Sequence, residues 1–228
     1  MRNMILIQNV KYAIPYSDTI LEDLSLEVKE KDFMGIIGHN GSGKTTLMDL
    51  LMGFRSVTSG TLSVIDEDPH ELHRKNKNQI AFLSQDVNIK GNITIADFLK
   101  FQSILYPQYS KEDEKYLLYV FDLNPEQKVG VLSLGQQKKL QIIAGFSARP
   151  KLLLIDEITA VLDPETREVF FRELDYLRNK YGTTVILATN IAEDLVGRAD
   201  TALFISGKKA TLHSPAEILR LFNLEAAA

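Results

Sequence analysis

The stretch FMGIIGHNGSGKTT, residues 33–46, decides how the rest of the sequence is interpreted. Its first five residues are apolar apart from one glycine, as in strands that are buried on both faces of a parallel sheet. The following TTLMDLLM has helical spacing. Between them, residues 38–45 match the pattern G-x-x-x-x-G-K-[ST]. The sequence therefore predicts a strand, a phosphate-binding loop and a helix; a chance match in a glycine-rich turn is the alternative, which the flanking elements disfavour.

The residue types of this loop suit a nucleotide phosphate. Glycines let the backbone bend so that consecutive N–H groups point at phosphate oxygens, and the helix start adds the positive end of its dipole. Lys44 is expected to contact the β- and γ-phosphates, and the Thr45 hydroxyl to ligate Mg²⁺. The predicted nucleotide-binding residues here are Gly38, Asn40, Gly41, Ser42, Gly43, Lys44, Thr45 and Thr46.

A second cluster lies at the end of the apolar run LLLIDE, residues 152–157. Ligands bind at the carboxyl ends of parallel strands, which is where Asp156 and Glu157 are expected. Asp156 suits Mg²⁺ as a hard oxygen ligand, and Glu157 suits the role of general base for an attacking water. The alternative is a pair of acids that favours the next helix start, and Asp163 before Pro164 could itself be such a cap.

The distribution of apolar runs indicates the fold class. Alternating runs at 4–10 and 24–28 predict half-buried strands. The buried-strand runs alternate with helical patterns, which indicates an α/β fold with a mostly parallel sheet. From about 88 to 149 only helical patterns occur, which predicts an inserted helical subdomain. The prediction is one α/β domain, 1–225, with a P-loop NTPase core, an N-terminal antiparallel β subdomain and the helical insertion; 226–228 are set aside as an added tail.

Composition excludes several classes of protein. The 228 residues carry a net charge of −4, so no general positive field attracts nucleic acid. Cysteine is absent, which excludes disulfides and thiolate metal sites and fits a reducing compartment. The sequence contains no run of about 18 apolar residues, the length that would predict a membrane span. The N-terminal MRNMILIQNV is too short and too polar for a secretory signal.

Six stretches in order resemble motifs of the ATP-binding cassette (ABC) ATPases, the nucleotide-binding subunits of ABC transporters. GHNGSGKT resembles Walker A, IAFLSQD the Q-loop, VLSLGQQKK the family signature, LLLIDE Walker B, TAVLD the D-loop and VILATNIAED the switch loop. The resemblance covers nearly the whole chain. It implies an ATPase that uses ATP and Mg²⁺.

The resemblance also implies partners. Two cassettes pack head to tail around two ATP molecules, so that Ser133, Gly135 and Gln136 of one contact the γ-phosphate on the other, with Asp163 in the D-loop nearby. A simple helix cap at Ser133 is the alternative. Gln85 would contact Mg²⁺ and the attacking water, and Gln85–Ile95 would face a membrane permease; an exposed strand end is the alternative for Gln85. Direct contact with nucleic acid is not expected.

Two departures from the family pattern concern the signature and the adenine site. Leu134 stands where the signature usually has glycine, and its β-carbon restricts the backbone. Ile14 stands where the family has an aromatic ring that stacks on adenine, and it is a candidate for an apolar contact to adenine instead. Tyr12 and Tyr16 flank it, and each is a candidate for stacking or an ordinary tyrosine.

The third departure is Asn190, where the family has histidine. Asparagine can donate a hydrogen bond but carries no positive charge and shuttles no proton. Losing a well-aimed group removes on the order of 3 kcal/mol of transition-state stabilisation, so turnover slower than usual is expected. Asn190 is also a candidate N-cap for the residues after it.

These features together predict the ATP-binding and ATP-hydrolysing subunit of a transporter, located at the cytoplasmic face of the membrane. The stretch LYPQYSKEDE resembles a prokaryotic subgroup that pairs with exporter-type permeases, so export is favoured. The alternatives are a soluble ABC-type ATPase that acts on nucleic acid or ribosomes, and a nucleotide-gated module with very slow hydrolysis. A P-loop kinase or GTPase is disfavoured, because such a protein requires neither the signature segment nor the Asp-Glu pair at the end of a strand.

Overall fold

The computed structural model describes residues 2–14, 19–72, 74–85 and 91–226. Its helices and strands in chain order are β1 (Asn3–Ala13), β2 (Thr19–Lys29), β3 (Phe33–Ile37), α1 (Lys44–Leu51), β4 (Ser59–Val64), α2 (Arg74–Lys77), β5 (Ile80–Leu83), α3 (Ile95–Leu105), α4 (Lys111–Val120), α5 (Leu134–Ser147), β6 (Leu152–Asp156), α6 (Pro164–Tyr181), β7 (Thr184–Thr189), β8 (Thr201–Ser206), β9 (Lys209–His213) and α7 (Pro215–Ala226). They form two compact units, Met1–Lys77 with Thr184–Ala228, and Asn78–Thr183.

The first unit begins with an antiparallel sheet in the order β2-β1-β4. Ile5 and Ile7 of β1 are buried and pair with Val28 and Leu26 of β2. Such alternation of buried and exposed side chains is typical of a sheet with one face on the core. The chain turns back after β4 at Ile65 and Asp66, which both have positive φ. This sheet is the predicted antiparallel β subdomain.

The same unit contains the strands that carry the phosphate loop. β3 lies between β7 and β8 and pairs with both in parallel, while β9 pairs with β8 in antiparallel fashion. Every residue of β3 and of β7 is buried. The carboxyl ends of β3 and β7 come together because Ile37 pairs with Thr189. The phosphate loop and the switch segment therefore leave the sheet at the same edge, where ligands bind in parallel sheets.

The second unit contains the parallel pair β5–β6 and four helices. Its core includes Phe121, Phe146 and Phe170, all at most 2% exposed. Gly145 of α5 lies so close to β5 that a β-carbon there would be 2.7 Å from Leu83, which fixes how closely this helix packs on the strand. Arg149 ties α5 to α4 through Asp113 and Ser110.

The structure confirms the predicted α/β class with antiparallel and parallel pairing, and it contains the predicted strands β1, β2, β3, β6 and β7 and the predicted helices α1, α3, α4, α5 and α6. β1 and β2 extend beyond the predicted 4–10 and 24–28. The predicted helical segment 88–149 lies within the second unit, and α7 reaches Ala226, the first residue set aside as a tail. Among the described residues, no helix combines the length and the hydropathy that crossing a bilayer requires.

Candidate functional site

The phosphate loop places Lys44 inside its own curve. Lys44 is 3% exposed, and its Nζ donates to the carbonyl oxygens of Gly38 at 2.7 Å and His39 at 3.1 Å. The N–H of Ser42 also donates to the His39 carbonyl, at 3.0 Å. The ammonium group is thus aimed into the loop, where phosphate oxygens can replace the carbonyls as its partners.

The glycines of the loop are required by space and by backbone conformation. A β-carbon on Gly38 would lie 2.4 Å from Ser42 Oγ and 2.6 Å from the Ile205 carbonyl. Gly41 and Gly43 have φ of 81° and 106°, which side chains with a β-carbon rarely adopt. The buried Ser42 Oγ has no hydrogen-bond partner among the described residues. A buried polar atom of this kind needs a partner, and a phosphate group at the loop would supply one.

Helix α1 begins without a side-chain cap. Gly43 occupies the N-cap position, and no side chain of the described residues accepts a hydrogen bond there. The first backbone N–H groups of a helix have no partner within the helix, and no described side chain caps them here, so those of Thr45 and Thr46 are placed to bind an anion. The Thr45 side chain is exposed. These properties fit the predicted contacts with phosphate and Mg²⁺.

The switch segment reaches the phosphate loop through Asn190. Its Nδ2 donates to Asn40 Oδ1 at 3.4 Å. Asn190 is not the N-cap of the following segment, so that alternative is wrong: a 3₁₀ turn, Ala192–Asp194, follows instead of an α-helix, with Ile191 at its N-cap. Thr189 Oγ1 accepts from the Ile191 N–H at 3.0 Å and donates to Asp194 at 3.1 Å. The amide of Asn190 is therefore directed at the phosphate loop.

The structure does not support Tyr12 as the adenine platform. Tyr12 is 6% exposed, and the Arg55 guanidinium lies over its ring and donates to its hydroxyl. The side chain points into the β1 core face, so neither ring face is open to a base. Ile14 is 40% exposed and stays a candidate for an apolar contact. Tyr16 lies outside the described residues.

The second unit carries the acidic cluster. Asp156 is fully buried at the end of β6, and Glu157 follows at 8% exposed. Glu157 has φ of 48° and ψ of 26°, the left-handed conformation. A non-glycine residue in this region carries backbone strain, which proteins retain mainly at functional sites. Asp156 is the last residue of β6, and Glu157 is the N-cap residue of the 3₁₀ turn Ile158–Val161 that follows.

The signature segment forms a complete capping box at the start of α5. The N–H of Gln136 donates to Ser133 Oγ at 3.3 Å, and the N–H of Ser133 donates to Gln136 Oε1 at 3.0 Å. The cap proposed as the alternative for Ser133 is thus present. Leu134 is the first helical residue and is 57% exposed; that its β-carbon restricts the backbone where a phosphate approaches stays a prediction. A β-carbon on Gly135 would meet nothing within 4 Å.

Asp163 caps α6 in the same way. Its carboxylate accepts from the N–H of Thr166 at 2.9 Å and from the Thr166 hydroxyl at 2.7 Å. These hydrogen bonds hold the pKa of Asp163 below its usual value. The cap alternative is therefore confirmed for Asp163, which leaves its role as a nucleotide-site residue a prediction.

Gln85 is held by a residue that the sequence did not single out. Gln85 is exposed at the end of β5, and its carbonyl and that of Ser84 accept hydrogen bonds from Lys138 Nζ. Lys138 lies on α5 and is 1% exposed. The sequence carried a signal for this contact. Lys138, Gln141 and Gly145 are spaced three and four residues apart, so they lie on one helix face. Lys138 is the charged residue of these three. The helix that begins with the signature thus fixes the start of the Q-loop.

The succession of strand, phosphate loop and helix α1 defines a nucleotide-binding protein of the P-loop class. The acidic end of β6 and the capped signature segment agree with this class. The sequence pattern of the family described as "ABC transporter" matches residues 21–160. The chain therefore belongs to the ABC transporter family, as one of its ATP-binding subunits.

Individual relatives agree with this family. The chain is 30% identical to the methionine import ATP-binding protein MetN of Clostridium tetani, over 91% of this chain and 68% of that protein. It is 31% identical to the spermidine/putrescine import ATP-binding protein PotA of Fusobacterium nucleatum, over 87% of this chain but only 54% of that protein. A solved ATP-binding subunit of an ABC transporter superimposes with a TM-score of 0.85 at 21% identity, over 97% of this chain and 94% of that one. The solved structure supports the fold alone.

Proposed function

We propose that this chain binds and hydrolyses MgATP and thereby drives a separate membrane permease. The observation that carries this proposal is the phosphate loop, in which Lys44 is buried on loop carbonyls while the start of α1 is uncapped. This arrangement offers a positive charge and a helix start without a side-chain cap to the β- and γ-phosphates of a nucleotide. The family membership supports ATP as that nucleotide.

The residues present fit Mg²⁺ by the chemistry of their donors. The Thr45 hydroxyl, the Gln85 amide oxygen and the Asp156 carboxylate are the hard oxygen ligands that Mg²⁺ prefers. Bound Mg²⁺ would neutralise phosphate charge during the reaction. Glu157 is the general base: its carboxylate takes the proton of the attacking water, and its left-handed backbone fixes the direction of that carboxylate.

We further propose that hydrolysis is slower than in relatives with a histidine at the switch position. The Asn190 amide donates a neutral hydrogen bond and contacts Asn40 Oδ1. It supplies no positive charge to the γ-phosphate. This feature also favours the second candidate function, a nucleotide-gated module with very slow turnover.

Phosphate release at saturating MgATP tests the proposal and separates it from the gated module. Wild type is compared with Glu157→Gln, which removes the base but keeps the shape of the side chain. Since a positioned general base contributes about 10²–10⁴-fold, wild-type release should exceed that of the variant by at least the lower figure. Equal rates of the two proteins would contradict hydrolysis and leave the gated module.

We propose that two cassettes close around MgATP, with the signature of one against the phosphate loop of the other. Ser133, Gly135 and Gln136 are the residues expected to contact the γ-phosphate. Val131 and Leu134, on either side of Ser133, are 69% and 57% exposed. These exposed apolar side chains support a contact with another protein at this place. Light scattering of Glu157→Gln with and without MgATP measures dimer formation, and an unchanged mass would contradict it.

We propose that the permease contacts the region Gln85–Ile95 and the neighbouring face of α3, at the cytoplasmic face of the membrane. Asp86–Lys90 lie outside the described residues. Ile93, Phe101 and Ile104 are 45%, 58% and 74% exposed, which leaves a large apolar area uncovered. Such areas commonly mark interaction sites.

Co-purification with the permease tests this surface. Ile104→Asp should abolish co-purification, because it places a charge within the apolar contact. Tyr119→Asp is the matched control, since Tyr119 is 86% exposed on α4 of the same unit. Retention of the permease by Ile104→Asp would place the contact elsewhere.

The direction of transport is a separate proposal. The stretch LYPQYSKEDE favours export, whereas MetN and PotA are named for import of methionine and of spermidine/putrescine. We retain export as the prediction from the sequence. In vesicles whose cassettes face outward, an exporter should move the cargo into the vesicle when MgATP is added outside. Release of cargo from the vesicle on addition of MgATP would instead establish import.

A further inference from the structure

The phosphate loop has a neighbour that belongs to none of the six motifs. The imidazole of His39 stacks on the ring of Phe222, with ring centroids 4.8 Å apart and planes inclined by 20°. Phe222 lies on α7. His39 is an exposed residue, and its ring keeps this contact with Phe222 at the surface of the first unit. A residue in the middle of the nucleotide loop is thus held by a ring from the helix that follows β9.

Helix α7 is itself firmly placed. Ile218, one turn before Phe222, is 0% exposed, and residues four apart share a helix face. The helix packs on β8 and on the 3₁₀ turn Ala192–Asp194, which begins two residues after Asn190. Phe222 therefore extends from an anchored helix face, and α7 contacts both the phosphate loop and the turn that follows the switch residue.

The backbone of His39 connects this ring stack to the lysine. Its carbonyl accepts from the Ser42 N–H at 3.0 Å and from Lys44 Nζ at 3.1 Å. When a phosphate binds, Lys44 has to leave this carbonyl while the loop keeps its curved shape. A side chain that is already fixed by an aromatic contact lowers the entropy lost on binding, which is how preorganisation raises affinity.

We propose that Phe222 is a positioning residue for the nucleotide: through His39 it holds the phosphate loop in its binding shape. This inference rests on the proposed function, since it requires a nucleotide at the loop. Phe222 reaches the phosphate loop through the ring of His39, so we expect it to act on the affinity for MgATP. The Kd and the KM should therefore change while kcat stays the same.

Titration of the full chain with a fluorescent ATP analogue and Mg²⁺ tests the proposal. Phe222→Ala should raise Kd and KM about two- to tenfold, the range that one aromatic pair supplies, with kcat within about twofold. Phe222→Tyr keeps the ring and should bind as wild type does. Arg220→Ala is the matched control, because Arg220 is exposed on the same helix, and its Kd should not change.

A double-variant comparison identifies His39 as the intermediary. In the His39→Ala background, adding Phe222→Ala should cause no further loss of affinity, because partners in one contact are not additive. Additive losses, or a lower Tm with unchanged Kd and KM, would overturn the proposal. If Phe222→Ala does not fold, Phe222→Leu removes the ring at similar volume and is read by the same criteria. A wild type that binds no better than Lys44→Ala would instead overturn the proposed function.

Discussion

The starts of α1 and α5 are both predicted to face phosphate, yet they are built in opposite ways. At α1 the N-cap is Gly43 and no described side chain caps the helix. At α5 Ser133 and Gln136 satisfy each other's backbone N–H groups in a capping box. The first helix start is open to an anion in the single chain. At the second, Ser133 Oγ already holds the Gln136 N–H, while the Ser133 hydroxyl keeps its own proton to donate to a phosphate.

This difference suggests a division of roles. The phosphate loop can bind a nucleotide without help, because its lysine is already directed into the loop and the start of α1 has no side-chain cap. The signature is stable without a nucleotide, because a capping box contributes about 1 kcal/mol or more to helix stability. Because the Ser133 hydroxyl still has a proton to donate, contact with the γ-phosphate of a second cassette does not require the cap to break. The most informative variants are those that change one helix start and leave the other intact.

The largest effect is expected from Ser133→Asp. Aspartate caps helices as well as serine does, so Tm should change by no more than about 2–4 °C, the shift expected for roughly 1 kcal/mol. Its negative charge would repel the γ-phosphate of the opposite cassette, and phosphate release should fall about 100-fold, as for the loss of a transition-state donor.

Ser133→Ala provides the matched comparison for that variant. It removes the cap without adding charge, so Tm should fall through the loss of about 1 kcal/mol, while phosphate release falls less than in Ser133→Asp. Equal activity of Ser133→Asp and wild type would show that the capping box is the whole role of Ser133.

A smaller effect is expected from Asn190→His. Histidine restores a longer side chain that can carry a positive charge, so phosphate release should rise by up to about 100-fold, the lower end of the range for one well-aimed donor. Nucleotide affinity should change little. Asn190→Gln is the control for side-chain length without charge. If histidine gives no gain while Glu157→Gln abolishes activity, Asn190 does not limit turnover.

The smallest effect on activity is expected from Lys138→Met. The substitution keeps the side chain buried but removes the donor to the carbonyls of Ser84 and Gln85. Hydrogen bonds from charged groups contribute about 1.5–3 kcal/mol, so denaturant unfolding should show a loss of about that size. Lys139→Met, the neighbour on the same helix, is the control. A Lys138→Met variant as stable as that control would show that the Q-loop start is held by other contacts.

The sequence predicted the fold and the phosphate loop well, for a physical reason. β3, β6 and β7 are buried on both faces, so their apolar runs are continuous, and glycines at 38, 41 and 43 meet strict local requirements. The exposed or partly exposed strands β4 and β9 leave no such pattern. The N-cap of α6 at Asp163 was also legible, since caps depend on residues close in sequence.

Contacts between distant segments could not be predicted in this way. Tyr12 was a candidate for the adenine platform, but its burial depends on Arg55, which lies 43 residues away in the chain. Lys138 reaches Gln85 across 53 residues, and Phe222 reaches His39 from the last described helix. Periodicity identifies the face on which a residue lies, whereas the partner on that face is determined by the tertiary fold.

Nucleotide binding by the single cassette tests the division between the two helix starts most directly. MgATP affinity is measured at low protein concentration for wild type, Ser133→Asp and Lys44→Ala. The expected result is that Ser133→Asp binds within about twofold of wild type, whereas Lys44→Ala loses about 100-fold or more, since it removes the only side-chain charge predicted to contact the β- and γ-phosphates. Equal losses in Ser133→Asp and Lys44→Ala, or wild-type affinity in Lys44→Ala, would contradict the account.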